Sequence, residues 1–135
     1  MKIKTAEATK LQLDWGVAEV MRLEPELAHH ECYRYGVVVL ARPSLKSVKG
    51  LKEGFSHTDP AVWGDLIERR NLDVNHRDPL RIDDSVLVSW GDPNDFAYGY
   101  WFARGKTLPE AVARCVIGMK LGDEFEVPDE LGVQS

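Results

Sequence analysis

Arg69 and Arg70 stand close to Trp63 and Glu68, with Arg77, Arg81 and Trp90 further along the chain. Guanidinium groups beside aromatic rings can grip a phosphate and stack a base. Trp63, Glu68, Arg69 and Arg70 are therefore the candidate site for a nucleotide-like ligand, a chemistry that also suits single-stranded nucleic acid. Trp63 follows a loop and precedes Gly64, an arrangement that can leave one ring face open to a ligand or a partner. The competing reading is a solvated face, because Asp73, Asp78, Asp83 and Asp84 cancel most of the arginine charge.

Other reactive residue types are present without the spacing that chemistry needs. His29-His30-Glu31-Cys32 resembles metal-ligand material, but adjacent residues rarely bind one ion together and no second cluster completes a site. His57, Asp59, His76 and Asp78 could join only through the fold. Cys115 falls on the apolar face of a predicted helix, where a small buried hydrophobe is the default and a nucleophile is not. Gly105-Lys106-Thr107 matches the end of a phosphate loop without its upstream glycines, and there is no G-x-S-x-G motif or paired acid–base signature. No catalytic residue, metal or cofactor is assigned on these grounds.

The chain has 135 residues, enough for one domain, and its hydrophobic fraction of 44% supports a single core. Its 22 acidic residues outnumber 17 basic ones, for a net charge of -5. Such a chain has no general attraction to duplex nucleic acid or anionic lipid. The two cysteines, Cys32 and Cys115, are far apart and fit a reducing compartment. The opening MKIKTAEATK is polar and lacks the apolar segment of a secretory leader. The strongest apolar run, Val37 to Ala41, is too short to span a membrane. A cytosolic protein is expected.

Several elements must position these residues. MKIKT reads as a first strand. Thr9 and Gln12 make a capping box for a helix from Lys10 to about Glu24, stopped by Pro25. Gly36 to Ala41 is a short β-branched run, hence a buried strand. Ser44 to His57 is lysine-rich and broken by glycine, a loop or weak strand pair. Asp59-Pro60 opens either a short helix carrying Val62, Trp63, Leu66, Ile67 and Arg70, or a turn and extension. Asn75 to Asp84 reads as a loop. Ser85 to Trp90 and Phe96 to Ala103 form a hairpin across the Gly91 to Asp95 turn, with Phe96, Tyr98, Tyr100 and Phe102 alternating onto one face, and the hairpin and the Val37 to Leu40 strand supply the sheet side of the core. Thr107 and Glu110 cap a last helix with Ala111, Val112, Cys115, Val116 and Met119 on its buried face, stopped at Gly122. Phe125 to Val127 is a final strand. Together these predict an α+β domain over residues 1–135. It has a small antiparallel sheet of four to five strands and two main helices packed on one face.

Three blocks of the chain resemble the NinX-like family of small bacteriophage proteins. They are MKIKT with Leu13 to Glu19 (LDWGVAE); Thr58-Asp59 followed by Trp63, Gly64 and Ile67-Glu68-Arg69; and Pro109, Ala111 and Arg114-Cys115 followed by Lys120 to Leu131 (KLGDEFEVPDEL). The resemblance covers about half of the chain and is strongest in the last run. It implies a phage or prophage origin and action in the bacterial cytoplasm, and it carries no activity and no catalytic residue. The leading expectation is a non-enzymatic accessory protein that binds a host or phage protein. A module that binds or sequesters a nucleotide-like molecule comes second, and a small hydrolase third. A homodimer is compatible with an exposed sheet edge.

Overall fold

A computed structural model describes residues 1–29, 37–40, 55–75, 86–91 and 100–132. In chain order these form β1 (Lys2–Lys4), a 3-10 turn (Thr5–Glu7), α1 (Lys10–Val20), β2 (Glu26–His29), β3 (Val37–Leu40) and α2 (Pro60–Arg70). There follow β4 (Asp73–Asn75), β5 (Val86–Gly91), β6 (Tyr100–Gly105), α3 (Leu108–Leu121), β7 (Glu124–Glu126) and α4 (Asp129–Gly132). The α+β class is as the sequence predicts. The parts of the predicted loops and turn at 41–54, 76–85 and 92–95 lie outside the described residues, as do Phe96 and Tyr98.

α3 is the axis of the core. Thr107 Oγ1 accepts from the Glu110 N–H at its start, Lys120 lies in its last turn, and Gly122 follows with φ 98°. Its buried surface is wider than the predicted stripe: Ala113, Ile117 and Gly118 are buried along with Ala111, Val112, Cys115 and Val116. The reason is that α3 packs on α1 on one side and on β5 and β6 on the other. A helix covered on two sides needs apolar residues on more of its circumference. Two glycines permit the close approach. A Cβ at Gly16 of α1 would lie 2.6 Å from Ile117 Cδ1, and one at Gly118 would collide with the indole of Trp101.

The single sheet of four to five strands is corrected. The described residues form a three-stranded antiparallel sheet, β4-β5-β6, and two separate two-stranded ribbons, β1–β7 and β2–β3. The β1–β7 ribbon shows why it stays small. Lys2 faces Glu126 and Lys4 faces Glu124, while only the central pair, Ile3 and Phe125, turns inward. Opposite charges align the register, and one apolar pair per face gives no surface on which further strands can pack. The placement of both main helices on one sheet face is corrected as well. α3 covers β5 and β6, whereas α1 packs on α3 and β3.

β2 and β4 are strands that the sequence does not announce, because Glu, His, Asp and Asn are poor strand formers and pairing supplies what propensity lacks. The β5–β6 hairpin is present, with Trp90 opposite Trp101 and Ser89 opposite Phe102. Its period of two is as predicted, and its two faces differ in burial. Trp101 and Ala103 pack on the core and Phe102 is 48% exposed. A one-residue change of phase moves every side chain of a strand to the opposite face.

α1 ends at Val20, earlier than the predicted Glu24. Leu23 N–H donates to Ala18 O at 2.9 Å and Arg22 N–H to Glu19 O at 3.0 Å, with Arg22 at φ 58°. This is the paired-bond helix stop that normally uses glycine. Arg22→Gly is expected to raise stability by about 1 kcal/mol, because an arginine in the left-handed region costs about that much. Urea denaturation checks it, and an unchanged midpoint contradicts it.

Candidate functional site

α2 carries the predicted site residues, and its local geometry decides which of them meet. Asp59 caps the helix by accepting from Ala61 N–H at 2.9 Å, and Pro60 takes the first turn. Val62 and Leu66 are buried against the core. Asn71 leaves the helix at φ 52°, and Leu72 N–H closes the stop on Ile67 O at 3.0 Å. The last turn therefore presents Arg69 and Arg70 at the end of α2.

There they border a groove of about 490 Å³. Its other walls are Trp90 and Trp101 from the hairpin and Met119 and Lys120 from the last turn of α3. The two tryptophans are direct cross-strand partners and are partly buried against the core. The room that Gly118 leaves lets the Trp101 indole lie against α3. Of the four predicted site residues, the groove thus gathers Arg69 and Arg70. Glu68 is exposed and does not line it. Trp63 stands seven residues before Arg70, roughly 10 Å along the helix axis. Its indole N–H donates to Thr58 O at 3.2 Å, and its ring packs partly against the core. Arg77 and Arg81 lie outside the described residues. Trp101 and Lys120 are the members of the site that the sequence does not single out. They are distant in sequence, and only the β5–β6 register and the stop of α3 bring them to α2.

The groove is cationic. Arg69 Nε pairs with Asp65 at 2.8 Å on an exposed helix face, an interaction of about 0.3–0.5 kcal/mol. Arg70 and Lys120 have no hydrogen bond or ion pair among the described residues. Both helices reach the groove by their C-termini, each equivalent to about half a negative charge. Those ends are offset by the three cations, and the lining holds no described carboxylate.

A second charged cluster is buried. Asp14 of α1 and His57 are 1% and 4% exposed at the side chain. Asp14 Oδ1 accepts from the His57 backbone N–H at 2.8 Å and lies 2.6 Å from His57 Nδ1, while Oδ2 accepts from Lys10 Nζ at 3.0 Å. An aspartate can orient a histidine for acid–base work in this way. The neighbouring Ser56 hydroxyl is engaged with Thr58 at 2.6 Å, and the pair acts as a tie between α1 and the segment leading into α2. The sequence singles out His57 only as a remote metal candidate. An aspartate in a helix carries no signal of its burial, and the partner lies 43 residues away.

The remaining candidates fall into ordinary roles. His29 Nε2 pairs with Glu130 at 2.6 Å, while His30, Glu31 and Cys32 lie outside the described residues. Asp59 is the α2 cap. Among the described residues no group of three or more His, Cys, Asp or Glu side chains is placed to hold a metal ion. Burial pushes the Cys115 thiol up to about 12. Its thiolate fraction at pH 8 is then about one in ten thousand, too little for a nucleophile. A thiol reagent at pH 8 is expected to leave Cys115 unmodified in the native chain and to label it in denaturant. Rapid native labelling, read by mass spectrometry of the Cys115 peptide, contradicts this.

A larger groove of about 710 Å³ runs along β6, walled by Lys4, Phe102, Arg104, Arg114 and Asp123 among others. Arg104 lies over the Phe102 ring at 5.3 Å. No helix among the described residues is long and apolar enough to cross a membrane. Comparison of the chain with protein-family models finds none that matches, and comparison with curated proteins finds no match.

Proposed function

We propose that this chain is a non-enzymatic binding protein whose ligand seat is the groove between α2, α3 and the β5–β6 hairpin, and that its ligand is a small nucleotide-like anion. The observation that carries the proposal is the convergence of Arg69, Arg70 and Lys120 on the cross-strand pair Trp90 and Trp101. Cations beside flat rings suit a molecule that is anionic at one end and aromatic at the other. The NinX-like resemblance supports placing this activity in a phage or prophage accessory protein of the bacterial cytoplasm, one that binds or sequesters a host molecule.

A protein partner is the second reading. It is favoured by the larger groove along β6, where Phe102 is 48% exposed. The chemistry of the smaller groove puts the small ligand first. A thermal-shift panel of nucleotides separates the two. A ligand present at a hundred times its dissociation constant stabilises by about 2.7 kcal/mol, and that shift is expected to vanish in Arg70→Ala. No shift with any nucleotide, together with recovery of one specific host or phage protein in a pull-down, reverses the order.

A further inference from the structure

We infer that the groove is built for a phosphomonoester beside a flat ring, the chemistry of a nucleoside monophosphate, and discriminates against a di- or triphosphate. This rests on the ligand-binding reading above. Of the three described cations that line the groove, Arg70 and Lys120 have no partner among the described residues, while Arg69 Nε is engaged by Asp65. Two free cations match one phosphate carrying nearly two negative charges at neutral pH.

The helix polarity limits the ligand to one such group. Polyphosphate sites use the N–H groups of a helix N-terminus or of a glycine-rich turn. Here α2 and α3 end at the groove, at Arg70 and Leu121, so both present the carbonyl end of the helix. A second or third phosphate would meet those partial negative charges with no further unpaired cation among the described residues that line the groove. The paired Trp90 and Trp101 supply ring surface for a base, and about 490 Å³ lies in the range of small-molecule pockets. A free nucleoside monophosphate and the 5′-phosphorylated end of a single strand share this chemistry.

The test is isothermal titration of the full chain with four nucleosides, their 5′-monophosphates and 5′-triphosphates, and a 5′-phosphorylated tetranucleotide. At least one monophosphate is expected to bind about tenfold or more tighter than its nucleoside and its triphosphate. Arg70→Met and Lys120→Met are each expected to remove that advantage, bringing the affinity ratio of monophosphate to nucleoside close to one, and Arg70→Lys is expected to restore part of it. Tighter binding of the tetranucleotide than of any monophosphate assigns the strand end as the source, and the opposite order assigns the free nucleotide. A triphosphate that binds as tightly as its monophosphate overturns the inference and leaves the ligand-binding reading standing. So does a monophosphate advantage that survives both methionine variants. No binding anywhere in the series overturns both.

Discussion

Asp14→Ala is expected to lower the stability of the fold by about 3 kcal/mol. The carboxylate receives the His57 backbone N–H and side chain on one oxygen and Lys10 on the other. Alanine leaves the His57 groups without their partner in a place that water barely reaches, and an unpaired buried donor costs about 1–3 kcal/mol. Lys10 is 45% exposed at the side chain and recovers much of its hydration, so its share of the loss is small. Asp14→Asn keeps an acceptor oxygen and is expected to lose less than alanine. Guanidinium denaturation measures both. A loss below about 1 kcal/mol for alanine contradicts the role assigned to the pair. Asp14 lies in α1 and His57 directly precedes Thr58-Asp59, so this one contact ties α1 to the start of α2.

Arg114→Met is expected to cost about 2 kcal/mol. From α3, the Arg114 guanidinium donates to Arg104 O on β6 at 3.2 Å and to Ala8 O before α1 at 3.3 Å, and it pairs with Glu110 on its own helix. Methionine keeps much of the stem's packing and removes the charge and both donors, so the variant isolates the polar contribution. The loss stays moderate because both hydrogen bonds are long and Nε is buried without a partner among the described residues. Arg114→Lys is expected to recover less than half of it, since an ammonium cannot reproduce the planar fork that spans two carbonyls. Denaturation midpoints for the three chains decide the point, and full recovery by lysine contradicts it.

What could be read from the sequence follows the reach of each signal. Local chemistry is legible. Thr107 and Gly122 mark the ends of α3. Asp59 and Pro60 open α2. Gln12 Oε1 accepts from Thr9 N–H at 2.9 Å as the capping box predicts. Gln12 also donates to Leu131 O, a contact 119 residues away that no local pattern announces. The phase of β6 is not legible, because Tyr100 and Phe102 alternate with Trp101 and Ala103, and both sets are apolar enough to face a core. Sheet size is not legible either, because three-residue strands such as β1 and β7 form only through their pairing with each other. The site is half legible for the same reason. Arg69 and Arg70 announce cationic chemistry from one helix, whereas the rings that line the groove with them are Trp90 and Trp101 and not the adjacent Trp63. A tryptophan one helix segment away looks close in sequence, but it lies two turns along the axis. One across a hairpin is distant in sequence and lines the same groove.

The most direct test of the binding site uses the four tryptophans as position markers. Each indole N–H gives its own signal in a nitrogen-15 correlation spectrum. On titration with a nucleoside monophosphate, the Trp90 and Trp101 indole signals are expected to move, with Trp15 and Trp63 unaffected and no movement in Arg70→Met. Unmoved indole signals at saturating nucleotide, or movement confined to Trp63, would contradict a ligand seat between α2, α3 and the hairpin.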